Sequence, residues 1–349
     1  MKQDDSIFKF INPNDNTNLS SLKGYDLSDL INLINNFYLT YRSKLNINKK
    51  ITFGLEIEVE NTDWKKVDDI VNNNFDNSKG YLENWITKLD LSLHKGREIN
   101  SPILRDTYKT WKELRHLCVL INKIASIDNS SSGHVHIGTQ ILGNNISSWL
   151  NFIKLWSTYE NIIYRFSYGE YLNERPVIIK YAKPISMDLW QDSIILSTQK
   201  DLSLDELVSK VAYDKNQAIN FDHIICKYAD IICDLNTIEF RCPNGTLDHT
   251  IHQNNINTFI HLLLYSNNNN FDMDTIIKRH NSMYYSYDNL EMYEEISLEQ
   301  ALEFVDLIFD KNIDKVYFLR QYLKNMEICK NINKLHKAKK FTTSRLRKG

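Results

Sequence analysis

The chain reads as an α+β protein built on a mainly antiparallel sheet, and three observations carry that reading. Its strand-like stretches alternate apolar and polar residues, as strands with one wet face do. Its helical stretches repeat apolar residues at spacings of three and four. The two kinds of element are interspersed without the regular alternation of a doubly wound sheet.

The most telling strand is Phe53 to Glu60, where Leu55, Ile57 and Val59 alternate with Glu56, Glu58 and Glu60. Period two puts the aliphatics on one face and three carboxylates on the other. Ahead of it, residues 1–24 are irregular, and Asp26 to Leu45 opens on a plausible cap and repeats apolar residues as a helix. Behind it, Asp63 to Phe75 reads as a short helix with Trp64, Val67, Ile70 and Val71 on one side. Leu89 to Leu93 alternates again, with Asp90 and Ser92 on one face, and turns at Lys95-Gly96 into Arg97-Glu98-Ile99-Asn100 as a hairpin. A long amphipathic helix begins at Asp106, with Trp111, Leu114, Leu117, Cys118, Ile121 and Ile124 as its buried stripe.

The turn Asn129-Ser-Ser-Ser-Gly133 leads into the strand His134-Val-His-Ile137, whose imidazoles share a face. Residues 146–166 and 202–211 follow as helices around an irregular stretch, 164–200. Asp234 to Arg241 is one more alternating strand, stopped by Cys242-Pro-Asn-Gly245. Two helical stretches, 251–266 and 297–327, complete the pattern.

Composition bounds the function. With 349 residues and 42% hydrophobic content, the chain can bury a large core. No apolar run reaches the length of a membrane span, and the first residues lack a basic start and apolar segment, so a cytoplasmic protein is expected. Cys118, Cys226, Cys233, Cys242 and Cys329 form no C-x-x-C pair, which fits reduced, structural thiols. Residues 330–349 hold eight Lys/Arg and no acid, leaving 34 basic against 44 acidic side chains elsewhere, about −10. The tail is therefore expected to be flexible and solvated, and an acidic body without spaced aromatics argues against a nucleic-acid partner.

Four separated strands each put polar groups on a single face: Glu56/Glu58/Glu60, Asp90/Ser92 with Glu98, His134/His136, and Glu239 with Arg241. Neighbouring strands lie about 4.8 Å apart, so these groups converge if the strands pair. Several carboxylates in one patch repel one another unless a cation compensates, and an oxygen-rich set suits Mg²⁺ or Mn²⁺. Arg241 among them makes sense if an anion such as a phosphoryl group is also held. Glu60, at the strand end, reads as a surface charge or a supporting partner.

Taken in order, Gly54-Leu-Glu-Ile-Glu58, Asp90-Leu-Ser-Leu93 with Gly96-Arg-Glu-Ile-Asn-Ser-Pro-Ile-Leu104, Ser132-Gly-His-Val-His-Ile-Gly138, Tyr181-Ala-Lys-Pro184 and Thr237-Ile-Glu-Phe-Arg-Cys-Pro-Asn-Gly-Thr-Leu247 resemble the successive motifs of the amidoligases. These are relatives of glutamine synthetase and γ-glutamylcysteine ligase, and the resemblance spans about residues 51–265. Two departures stand out: Leu91 follows Asp90 where the family often has Gly, and Cys242-Pro243 follows the E-F-R sequence where an apolar residue is usual.

The resemblance implies a glutamine-synthetase-like fold and an ATP-dependent carboxylate-amine ligase that works through an acyl phosphate. In that scheme Glu56, His134 and Glu239 hold one Mg²⁺, and Glu58 and Glu98 another. His136 lies near the nucleotide phosphates, Arg241 meets the transferred phosphoryl group, and Lys183, Lys215 and Arg175 are candidate phosphate or substrate-carboxylate contacts. The expected organisation is an N-terminal helical extension (1–50), a catalytic domain (51–265), a helical region packed on it (266–330) and the basic tail (331–349). The expected partners are a small or peptide carboxylate and an amine. Two alternatives are a silent nucleotide- or peptide-binding module on the same fold, and another metal-dependent phosphoryl-transfer or hydrolytic enzyme.

Overall fold

A computed structural model describes residues 6–73, 84–93, 95–128, 131–169, 178–189, 201–211, 215–224, 236–282 and 296–324. The alternating stretches pair into one sheet: β1 Phe53–Val59, β2 Ile86–Lys88, β3 Arg97–Asn100, β4 Gly133–Gly138, β5 Ile219–Asn220 and β6 Thr237–Phe240. Their order is β2-β3-β1-β4-β6-β5, and every pairing is antiparallel. The expected α+β class with an antiparallel sheet is what the chain adopts.

The sheet is covered on its apolar face. Phe53, Leu55, Ile57, Val59, Ile99, Val135, Ile137, Ile238 and Phe240 are all buried there. Phe53 stacks on Trp111 of helix Tyr108–Ile121, with ring centroids 5.3 Å apart. Phe240 stacks on Phe259 of helix His249–Ser266 at 4.2 Å and packs against Trp156 of helix Ile146–Ser167. Each such side chain contributes about 2 kcal/mol by leaving water. The result is a firm floor beneath the polar face.

The first fifty residues are tied to the last helices. Lys315 Nζ, buried in helix Asn312–Leu323, donates to Asn16 Oδ1, Thr17 O and Asp306 Oδ1 at 2.7 Å each. Asp306, in helix Leu298–Ile308, also accepts from the amides of Leu19 and Ser20.

Several expected boundaries move, for identifiable reasons. The helix read as 26–45 is Gly24–Asn36, because the backbone turns extended at Phe37 and buries Phe37 and Leu39 at a spacing of two. Leu89 to Leu93 is not a strand. Asp90 Oδ1 accepts from Ser92 N at 2.7 Å, a local turn that leaves Leu89 and Leu91 exposed, and the strand lies just before it as β2. The second long helical stretch, 297–327, breaks at buried Phe309, whose backbone is extended. Helix Met273–Ser282 has no counterpart in the sequence reading, since only Ile276 and His280 of it are buried. Arg175, Cys226, Cys233, Cys329 and the basic tail lie outside the described residues.

Candidate active site

Register decides which polar groups meet. On β1, Glu58 pairs with Glu98 of β3, and Glu56 lies between Asn100 of β3 and His134 of β4. On β4, His136 lies between Gly54 and Glu239 of β6, and Glu239 also pairs with Asn220 of β5. Directly paired residues share a face. Glu56, Glu58, Glu98, His134, His136 and Glu239 therefore project together from the polar face of the sheet.

The inner group is built around His134. Its Nδ1 lies 2.9 Å from Glu56 Oε2 and 3.1 Å from Glu239 Oε1. His136 Nε2 is 3.3 Å from Glu56 Oε1. Glu239 is anchored further: Asn220 Nδ2 donates to Oε2 at 2.8 Å, and Arg241 Nη1 to Oε1 at 2.5 Å. Arg241 also donates from Nε to Tyr181 O at 3.0 Å, which joins the Y-A-K-P segment to the site.

The outer group lies one step along the strands. Glu58, Asp90 and Glu98 each offer an oxygen within 4.8 Å of the others, as do ligand atoms of Glu56, His136 and Glu239 in the inner group. Glu58 is buried and accepts Ser132 N at 2.6 Å on Oε2 and the Ser132 hydroxyl on Oε1. Glu60 is not a surface charge: it is 2% exposed, and its Oε2 accepts Lys95 N at 2.8 Å. Gly96 then lets the hairpin close, since a Cβ there would lie 2.0 Å from Val59 O.

The expected basic residues divide. Arg241 is in the site. Lys183 sits on a segment beside β5, with its amide donating to Asn216 O and its carbonyl accepting from Ala218 N, both at 2.7 Å. Lys215 is exposed in the turn before β5, with no hydrogen bond or ion pair to the cluster. Sequence reasoning missed Asn220 and His223, and gave no role to Asn100 and Ser132 although both lie within its motifs. The His223 ring lies 5.4 Å from that of His136.

The electrostatics are those of crowded acids. Burial opposes ionisation of Glu56, but the imidazoles of His134 and His136 outweigh it and hold the carboxyl well below its usual range. Burial of Glu239 is likewise outweighed by His134, Arg241 and His136. Glu98 goes the other way: burial, and then the charge of Glu56, push it up to about 7. Burial of His136 is overcome by Glu56 and Glu239, which raise it. Burial and the nearby His136 lower His223.

The donor set fits a hard divalent cation. It consists of carboxylate oxygens with imidazole nitrogen, and among the described residues the buried Asn100 Oδ1 on this face has no hydrogen-bond partner.

The sequence model of a family described as putative amidoligase enzyme matches residues 87–263, half of the chain. The match takes in β3, β4, β5 and β6 with Glu98, His134, His136, Glu239 and Arg241. Glu56 and Glu58 precede it, and the register of β1 brings them to the same face. No curated protein matches the chain significantly. With the match spanning half its length and the motif residues on one face of the sheet, the chain belongs to the amidoligase family.

Proposed function

We propose that the protein is an ATP-dependent carboxylate-amine ligase on a glutamine-synthetase-like catalytic fold. The observation that carries this reading is the two acidic groups side by side on the polar face of the sheet, with Arg241 at their edge. Residues 51–265 would form the catalytic unit, with 1–50 and 266–330 packed around it. Cytoplasm is the compartment expected for ATP-dependent ligation.

In this reading Glu56, His134 and Glu239 hold one Mg²⁺ or Mn²⁺, and Glu58 and Glu98, joined by Asp90, hold another. When bound, the cations neutralise the charge of the ATP phosphates. The chain's own residues do the rest. Arg241 presents planar N–H donors to the γ-phosphoryl group as it passes to a substrate carboxylate, forming the acyl phosphate and releasing ADP. Its Nη1 bond to Glu239 and Nε bond to Tyr181 O hold the guanidinium at that edge. An amine then attacks the acyl carbon, phosphate leaves, and an amide results. His136 would face the nucleotide phosphates, with Lys183, Lys215 and Arg175 as outer phosphate or carboxylate contacts. The acid and the amine are small molecules or peptides chosen outside the shared motifs.

The test is ADP release from ATP and Mg²⁺ with pooled amino acids and short peptides, read with mass spectrometry of new amides. We expect ADP and an amide product in the wild type, and a loss of at least about a hundredfold in Glu239→Gln with an unchanged circular dichroism spectrum. A nucleotide-induced thermal shift without ADP release would favour the silent binding module. Turnover retained in Glu239→Gln would refute the assigned site.

A further inference from the structure

Helix Ile146–Ser167 packs on the apolar face of the sheet through Phe152 and Trp156, yet two of its polar side chains reach the segment that touches Arg241. Glu160 is fully buried, and four donors converge on its carboxylate. Trp156 Nε1 and Ile185 N donate to Oε1 at 2.7 and 2.8 Å; Ser186 N, at 2.9 Å, and the Ser186 hydroxyl donate to Oε2. One turn on, the buried Tyr164 donates its hydroxyl to Ala182 O at 2.6 Å.

A carboxyl group taken out of water needs donors in place of its lost hydration. Three of the four donors to Glu160 belong to Ile185 and Ser186, so the group fixes that stretch against the helix. Tyr164 fixes the same segment at Ala182. Tyr181, the next residue, then presents its carbonyl to Arg241 Nε at 3.0 Å. The segment is tied to the sheet as well: Lys183 O accepts Ala218 N at 2.7 Å, and Ala218 O accepts Arg241 N at 2.8 Å. Glu239 holds Arg241 Nη1 from the other side. A guanidinium is planar, so bonds at Nε and Nη1 together fix its plane.

We infer that Glu160 and Tyr164 are positioning residues for Arg241. From the covered side of the sheet, through residues 181–186 beside β5, they set the plane of the guanidinium on the polar face. The consequence for phosphoryl transfer rests on the ligase reading above: a donor already in place needs no reorganisation as charge develops on the phosphoryl oxygens. The sequence gives the pair no prominence, because the bonds that matter join positions 18 to 26 residues apart.

Two measurements decide it. Arginine Nε–H groups give ¹H–¹⁵N signals whose exchange with water can be timed, and Arg241→Lys identifies the signal of Arg241. In Glu160→Gln and in Tyr164→Phe that exchange is expected to quicken about tenfold, as loss of one hydrogen bond would make it. Arg97 Nε–H, bonded to Asp68 Oδ1 at 3.0 Å, should keep its wild-type rate. With ATP, Mg²⁺ and the pooled amino acids and peptides, ADP release at saturating ATP should fall about 10–100-fold in Glu160→Gln, while Mn²⁺ affinity holds. Arg241 exchange unchanged in both variants would overturn the inference, and so would an equal quickening at Arg97, which marks general loosening. Should Glu160→Gln not fold, Tyr164→Phe, which removes a single hydroxyl, carries the test. A wild type that releases no ADP would instead overturn the ligase reading, and the exchange rates would still decide the positioning.

Discussion

Two buried polar regions of this molecule solve the same problem differently. One lies between helix His249–Ser266 and helix Asn312–Leu323 and is made mostly of amides. Asn254 Nδ2 donates to Gln321 Oε1, Gln321 Nε2 to Asn255 Oδ1, and Asn257 Nδ2 to Asp314 Oδ1, at 2.8, 2.8 and 2.9 Å. Its charge closes on itself, since Asp314 pairs with Arg42 Nη1 at 2.7 Å, while Gln253 holds the Arg42 main chain at both ends. The other region is the polar face of the sheet, where Glu56, Glu58, Glu98, Glu239 and Asp90 gather and Arg241, bonded to Glu239, stands at one side. There the charge does not close among the described residues. The difference teaches where to look for a ligand: the carboxylate of the amide network meets its own guanidinium within the fold, whereas the acidic face gathers more carboxylates than the described cations match.

The comparison can be broken from either side. The largest expected effect on stability is at the closed pair. Arg42→Met leaves Asp314 buried without its cation, and unfolding in urea should show a loss of about 4 kcal/mol, while Mn²⁺ affinity stays unchanged. Equal losses of stability and of cation affinity would mean that the two regions are not independent.

A smaller effect comes from His252, which belongs to neither charge set. Burial pushes its imidazole down to about 4, and Nε2 bonds to Thr246 O at 2.9 Å. Between its ordinary value and about 4, the unfolded chain binds a proton that the folded chain refuses. Stability must therefore fall as pH drops through that window, by about 2 kcal/mol at pH 5. Urea unfolding at neutral pH and at pH 5, in the wild type and in His252→Gln, isolates the contribution. The variant should lose that part of the slope, and an identical slope in both would rule out His252 as its source.

Much of the acidic face was legible in the sequence because strands repeat every two residues. Glu56 and Glu58, His134 and His136, and Glu239 and Arg241 each stand two apart, so their common face follows from local spacing. Which of them meet did not follow. The pairing of Glu56 with His134 and of His136 with Glu239 is a matter of register between distant segments. Asp90 was placed on a strand because Leu89 to Leu93 alternates, and its own side chain makes the turn that removes it. β5 is two residues long, too short to leave a period, so Asn220 and the neighbouring His223 gave no signal. The amide network was hidden for a related reason: Gln253 bonds to Arg42 across 211 positions, and no local pattern encodes such a pair.

The central claim is that the inner carboxylates hold a divalent cation. Calorimetric titration of the wild type and of Glu56→Gln and Glu239→Gln with Mn²⁺ tests it directly. The account predicts saturable binding in the wild type and at least about tenfold weaker binding in each variant, with the fold intact. Binding of equal strength in all three proteins, or none in the wild type, would contradict it.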